Sequence, residues 1–230
     1  MYGHPTERSL SMSSLTRYDI TVVMGRASAI GKEQTRQRLL VAAGRGFRTR
    51  GFGGVGVDGV AKDAGVTSGA FYAHFGSKVE IFRVALAAGL DDLRFGLAAY
   101  RRKFGASWLR RFARSYLNAE RRTDLPGSCA LATLTLEVAR ADQATRQLYD
   151  ERLKAIAKEL RRGLVGPRRE ADAWAILALL SGGLSMAHAV RDPKLGAHIA
   201  RSVANAIVAL GATSDPGNMK ERTRGALETN

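Results

Sequence analysis

Apolar residues recur at helical spacing through most of the chain, and nowhere do they alternate as a half-buried strand requires. In "EQTRQRLLVAAGRGFRTR", Leu39, Leu40, Ala43 and Phe47 fall on one stripe at three- and four-residue intervals. Gly51-Phe52-Gly53-Gly54 closes this helix, because glycine adopts the positive φ that ends one. A short second helix follows, with Val57, Val60, Ala61 and Ala64 inward and Asp58, Lys62 and Asp63 outward, and Gly65 stops it. Thr67 or Ser68 then caps a third, also short, whose Ala70, Phe71 and Phe75 face the first two. Ser77 is the next N-cap, and Glu80 completes a capping box at the start of "SKVEIFRVALAAGLDDLRFGLAAY".

Longer helices make up the remainder. Trp108, Phe112 and Tyr116 lie four residues apart, and Pro126-Gly127 breaks the chain before "SCALATLTLEVARA". "DQATRQLYDERLKAIAKELRRGL" is amphipathic, whereas "READAWAILALLSGGLSMAHAV" is apolar nearly all round and must be covered on most sides. Pro193 opens the last helix, through "IARSVANAIVAL". The pattern predicts an all-α chain without internal repeats. Residues 1–31, rich in Ser, Thr and Arg, are expected to form a flexible leader, with Met24 as an alternative start. Residues 212–230 are expected to be a disordered tail.

Composition sharpens this outline. With 230 residues and 45% hydrophobic content, the chain can bury a sizeable core. A net charge of +15 and a pI near 10.7 favour a polyanionic partner. Pairs such as Arg110-Arg111, Arg121-Arg122 and Arg161-Arg162 are scattered, as solvated helix faces are. The single cysteine, Cys129, excludes an intramolecular disulfide and fits a reducing cytosol. No unbroken apolar run approaches the ~20 residues that span a bilayer, and "YDITVVM" is too short and polar for a signal peptide. The expectation is a cytoplasmic protein without membrane contact.

Enzyme chemistry finds little support. "GRASAIGK" has one residue too many for a phosphate loop, and Glu33 stands where Ser or Thr would hold a magnesium ion. His4, His74, His188 and His198 form no helix-spaced metal pair, and "GGLSMAH" lacks the spacing of a nucleophile elbow. No catalytic residue, metal or cofactor is expected.

The short helices joined by tight glycine turns instead form a helix-turn-helix unit. Its last helix presents Thr67, Ser68, Gly69, Tyr72 and Ala73, small residues at its start allowing close approach to a surface. Such a helix lies in the DNA major groove with its N-terminal residues at the base edges. Tyr72 and His74 are candidate donors to phosphate oxygens, and Lys78 adds its charge to the N-terminus of the next helix.

The run "GVAKDAGVTSGAFYAHFGSKVEIF" resembles the signature of the TetR family of transcriptional regulators. The residues that carry the resemblance are Ala64-Gly65-Val66, Thr67-Ser68, Phe71-Tyr72-Ala73-His74-Phe75, Lys78 and Glu80, within roughly Thr35 to Leu86. Two positions depart from it: Gly56 replaces the usual polar cap, and Gly59 an acidic residue. The resemblance implies a DNA-binding head over 32–86, with its reader motif at about 56–75, and a helical effector-binding and dimerisation domain over 87–211. It implies a homodimer on a pseudo-palindromic operator, joined through the last two long helices; Leu180, Gly183, Ala187, Ala204 and Val208 are the candidate interface residues. Phe95, Trp108, Phe112, Tyr116, Leu134 and Trp174 are candidates to line a largely apolar pocket for an unknown small effector that releases a repressor. In a subgroup that the Cys129 segment resembles, a cysteine senses electrophiles or oxidants. Ser128 capping a helix, with the thiol in its first turn beside Arg121 and Arg122, would suit that role. The competing reading is a non-specific basic DNA-binding protein.

Overall fold

The computed structural model describes the backbone of residues 17–213 and the side chains of residues 31–212; residues 1–16 of the expected leader and 214–230 of the expected tail lie outside that range. The described residues are helical, without strands. Helix α1 (Arg17–Arg50) already runs through the second half of the expected leader. No proline lies between Pro5 and Pro126, and scattered Gly and Ser weaken a helix without ending it.

Helices α1, α2 (Val57–Asp63) and α3 (Ser68–Tyr72) form the head around the first turns of α4 (Lys78–Phe104). Leu39, Ala43 and Phe47 of α1 are fully buried, as are Phe71 and, within 1%, Phe75. The Phe47 and Phe82 rings meet edge to face at 5.1 Å, and Phe52 closes the triangle at 5.1 Å from Phe82. Each such pair contributes about 0.5–1.5 kcal/mol beyond simple burial. Gly65, at φ +65°, supplies the left-handed residue that lets α2 turn into α3.

The same α4 continues into the body, so head and body share one unbroken helix. A short 3₁₀ turn leads to α5 (Trp108–Tyr116), and α6 (Ala119–Thr123) and α7 (Ala130–Ala139) follow. Helix α8 (Gln143–Arg162), capped by Asp142, packs along α4. The Ser181 and Ser185 hydroxyls of α9 (Arg169–Ala189) donate to the Leu131 and Ala132 carbonyls of α7. Helix α10 (Pro193–Thr213) packs along α9 through Ala200, Ala204 and Ile207. Its Pro193–Ala212 stretch, with mean hydropathy 1.3, is long and apolar enough to cross a membrane by length and composition. The alanines of this helix raise its mean hydropathy without forming an unbroken apolar run, and the core helix of a folded protein meets the same test.

Gly56 caps α2 with no side-chain hydrogen bond, and Gly59 sits inside this seven-residue helix with open space where a Cβ would be. Ala at position 59 therefore fits without strain and removes the entropic penalty of glycine. Gly59→Ala is expected to stabilise the protein by about 0.5–1 kcal/mol, read as a rise in the urea midpoint at unchanged slope.

Candidate nucleic-acid interface

The five residues of α3 are held from both ends and from behind. Thr67 Oγ1 accepts from the Ala70 amide at 3.2 Å, capping the helix as its sequence suggests. Ser68 Oγ donates to the Asp58 carboxylate of α2, which ties the two short helices together. Phe71 and Phe75 face the core, and the Arg36 guanidinium lies 5.1 Å over the Phe75 ring. What remains outward is Thr67, Gly69, Tyr72 and Ala73, with Ser68 and His74 half-buried at the margin. Tyr72 is 59% exposed, and among the described residues its hydroxyl has no partner. A Cβ at Gly69 would meet only Thr67 Oγ1, at 3.8 Å, so this face is open to an incoming surface.

The next helix begins beside it. Ser77 Oγ accepts from the Glu80 amide at 3.1 Å, while a Glu80 carboxylate oxygen accepts from the Gly76 amide at 2.7 Å. The capping box is thus shifted one residue, closing on Gly76 rather than on Ser77 itself. The Lys78 ammonium donates to the Phe52 carbonyl at 3.0 Å and sits 4.2 Å from the centre of the Phe52 ring. One of its three donors is therefore committed inward, leaving two for an anion. Nearby, Arg38 Nη2 donates to the Gly65 carbonyl at 3.0 Å, bracing the α2–α3 turn. Sequence reasoning passed over Arg36 and Arg38 because basic residues on an amphipathic helix usually mark only its wet face.

Residues 39–85, which contain all of this geometry except Arg36 and Arg38, match the family model described as bacterial regulatory proteins, tetR family. The head of this chain is thus of the TetR type. Two curated relatives match its head: the HTH-type transcriptional regulator SrpR of Pseudomonas putida, 42% identical over 65 residues (28% of this chain and 30% of SrpR), and the HTH-type transcriptional activator FasR of Mycolicibacterium smegmatis, 35% identical over 72 residues (31% and 33%). The match spans about a third of either relative. The crystal structure of SCO4454, a TetR-family transcriptional regulator from Streptomyces coelicolor, shares the fold over 79% of this chain and 96% of its own, at TM-score 0.64 and 20% identity. The family and these relatives are regulators of transcription, not enzymes.

Behind the TetR-type head, a cavity of about 240 Å³ lies between α1, α4, α5 and the α6–α7 segment. Of the six candidate pocket side chains, Phe112 and Tyr116 line it. Leu134 is closed within the core at 1% exposure, and Trp108 faces another cavity and donates to the Gly163 carbonyl. Phe95 and Trp174 point outward, at 58% and 39% exposure. Cys129 is itself the N-cap of α7, with no side-chain cap bond, so its thiol precedes the first turn instead of lying in it. Ser128 does not cap α7; its hydroxyl pairs with His188 Nε2 at 2.7 Å. Arg122 Nη1 donates to the Leu117 carbonyl, and Arg121 lies 5.8 Å from the Tyr116 ring centre.

The candidate dimer residues Leu180, Gly183, Ala187 and Ala204 are buried within one chain, and Val208 is half-buried. A Cβ at Gly183 would lie 2.7 Å from Val203 Cγ1, so this glycine serves the α9–α10 contact itself. The outward stripe of α9 is instead Trp174, Ala178, Gly182 and Met186, four residues apart.

The inward contact of Lys78 gives it a structural role separable from any ligand. Lys78→Ala is expected to lower the stability of the DNA-free protein by about 1–2 kcal/mol, through loss of a charged hydrogen bond and a cation–π contact. Tyr72→Phe removes an unpartnered exposed hydroxyl and is expected to leave the thermal midpoint unchanged. Calorimetry on both variants checks the pair.

Proposed function

We propose that this protein is a sequence-specific, DNA-binding transcriptional repressor of the cytoplasm, acting as a homodimer that a small effector releases from a pseudo-palindromic operator. The observation that carries the reading is the division of labour on α3. Its apolar side chains are all used behind, while Thr67, Gly69 and Tyr72 are left free in front. In this reading Thr67, Ser68 and Gly69 approach base edges, and Tyr72, His74 and the two uncommitted donors of Lys78 hold phosphates. Ser68 reaches the groove only from its bond to Asp58, so it orients more than it reads.

Two heads need a two-fold partner, and the stripe of Trp174, Ala178, Gly182 and Met186 supplies a surface where helices approach closely. The apolar character of α10 fits the same role, with a second copy rather than lipid as its cover. Cys129 in the cavity wall supports a narrower variant in which the effector is an electrophile; loss of the response in Cys129→Ser, with the cavity otherwise intact, would select it.

Titration against the gene's own upstream DNA and a scrambled fragment, at two salt concentrations, tests the reading. Tight binding to the upstream fragment alone is expected, and Tyr72→Phe should weaken it about tenfold through loss of one bond to a charged acceptor. Equal and steeply salt-dependent binding to both would mean that charge alone drives association. Transcription with and without the protein gives the sign of control, which matters because one relative of the head is an activator.

Gly182 isolates the dimer. No atom lies within 4 Å of a Cβ placed there, so Gly182→Arg should fold normally yet run as a monomer in light scattering. Gly183→Ala, one residue away, should instead cost about 1–3 kcal/mol of stability through its clash with Val203.

A further inference from the structure

The cavity behind the head differs from the apolar pocket that the aromatic stripe suggests. Its wall holds two guanidiniums, Arg48 from α1 and Arg121 from α6, against one carboxylate, Asp92. Neither arginine has a carboxylate within ion-pair distance among the described residues. Arg48 Nε donates to the Pro126 carbonyl at 2.8 Å, and among the described residues its terminal nitrogens carry no hydrogen bond. Asp92 and Asp124 both lie near enough to be felt by Arg48, yet Asp124 is already engaged by the Gly127 amide.

The second observation is independent. Tyr116 is 3% exposed, and among the described residues its buried hydroxyl has no oxygen or nitrogen partner, only the weakly bonding Cys129 thiol beside it. A buried hydroxyl left unpaired is costly and marks a place where something else is meant to sit. Burial raises its pKa well above the usual phenol value, so it stays protonated and can only be satisfied as a donor to an acceptor atom or through the weaker acceptor role of its oxygen. Phe112, stacked 5.7 Å from the Tyr116 ring, and Leu93 form the apolar part of the wall. At about 240 Å³ the space equals roughly eight water molecules of about 30 Å³ each, room for one ring and a small substituent.

We propose that the cavity binds a compact organic carboxylate, its charge held by Arg48 and Tyr116 Oη and its apolar body against Phe112 and Leu93. Arg48 is at the end of α1, the helix that carries the core of the head, and the carbonyl it now holds belongs to the α6–α7 turn. A carboxylate on its terminal nitrogens would seat the ligand on the very side chain whose Nε joins head to body. Binding is thereby coupled to the placement of the head. This coupling rests on the DNA-regulator reading above; the chemistry of the cavity does not.

Isothermal titration of the full-length protein without DNA tests the cavity alone, with benzoate and phenylacetate as carboxylates and benzamide and benzylamine as neutral and cationic controls. At least one carboxylate is expected to bind ten times more tightly than benzamide, and benzylamine not at all. Tyr116→Phe is expected to weaken the carboxylate at least tenfold while raising the melting temperature, since it removes an unpaired buried hydroxyl. Arg48→Met should weaken it as much; Tyr116→Phe keeps the test valid if that variant folds poorly. Binding of benzamide or benzylamine as tight as that of the carboxylates, no binding of either carboxylate, or full carboxylate binding by Tyr116→Phe overturns the proposal. A second titration, of the protein–operator complex with the bound carboxylate, reads the coupling. Release of the operator at carboxylate concentrations that saturate the cavity supports it, and operator affinity indifferent to bound carboxylate overturns the coupling while leaving the cavity assignment to the first experiment.

Discussion

The surface-reading helix has five residues, and a peptide of that length does not stay helical in water, so its position is set wholly by what it packs against. Phe71 and Phe75 plug it into the core, the Thr67 hydroxyl closes its first turn, and Ser68 binds it to α2. Because these contacts take both phenylalanines and leave a polar and small-residue face, rigidity and availability come from the same arrangement. The long α1 and α4 are the walls against which this small element is fixed, and the Phe47, Phe52 and Phe82 triangle joins those walls.

Helix α4 then carries the head into the body without a break. Its 27 residues span about 40 Å at 1.5 Å per residue. Gly89 of α4 lies so close to α7 that an added Cβ would come within 2.7 Å of the Ala130 methyl. Beside this contact head and body are joined directly, where the Phe52 amide donates to the Glu137 carboxylate at 3.2 Å and Arg48 reaches the Pro126 carbonyl.

Local features of the head were legible from residue order alone. Thr67 and Ser77 announce their caps, Gly65 its left-handed turn, and the spacing of Phe71 and Phe75 their inward direction, because each depends on neighbours within four residues. Contacts across the fold were not. Gly182 and Gly183 are indistinguishable as letters, yet a turn of about 100° between them puts one in the open and the other against Val203. The aromatic stripe in the body was visible, but periodicity shows only that residues share a face. It could not say that Phe112 and Tyr116 border a cavity while Phe95 looks outward. Arg48 carried no signal at all, since its partner lies 78 residues away and is a main-chain oxygen.

That last trait is shared. Arg38 holds the Gly65 carbonyl, Lys78 that of Phe52, Arg48 that of Pro126, and Trp108 that of Gly163. A carbonyl oxygen accepts no proton across the physiological range and is present whichever side chain follows it. The bond itself makes no demand on the acceptor's side chain; what fixes these positions is shape, the left-handed φ of Gly65, the Trp108 ring 2.5 Å from where a Cβ of Gly163 would sit, and the place of Phe52 in the aromatic triangle. The frame is held by bonds indifferent to side-chain identity, and its turns are specified by the room they leave.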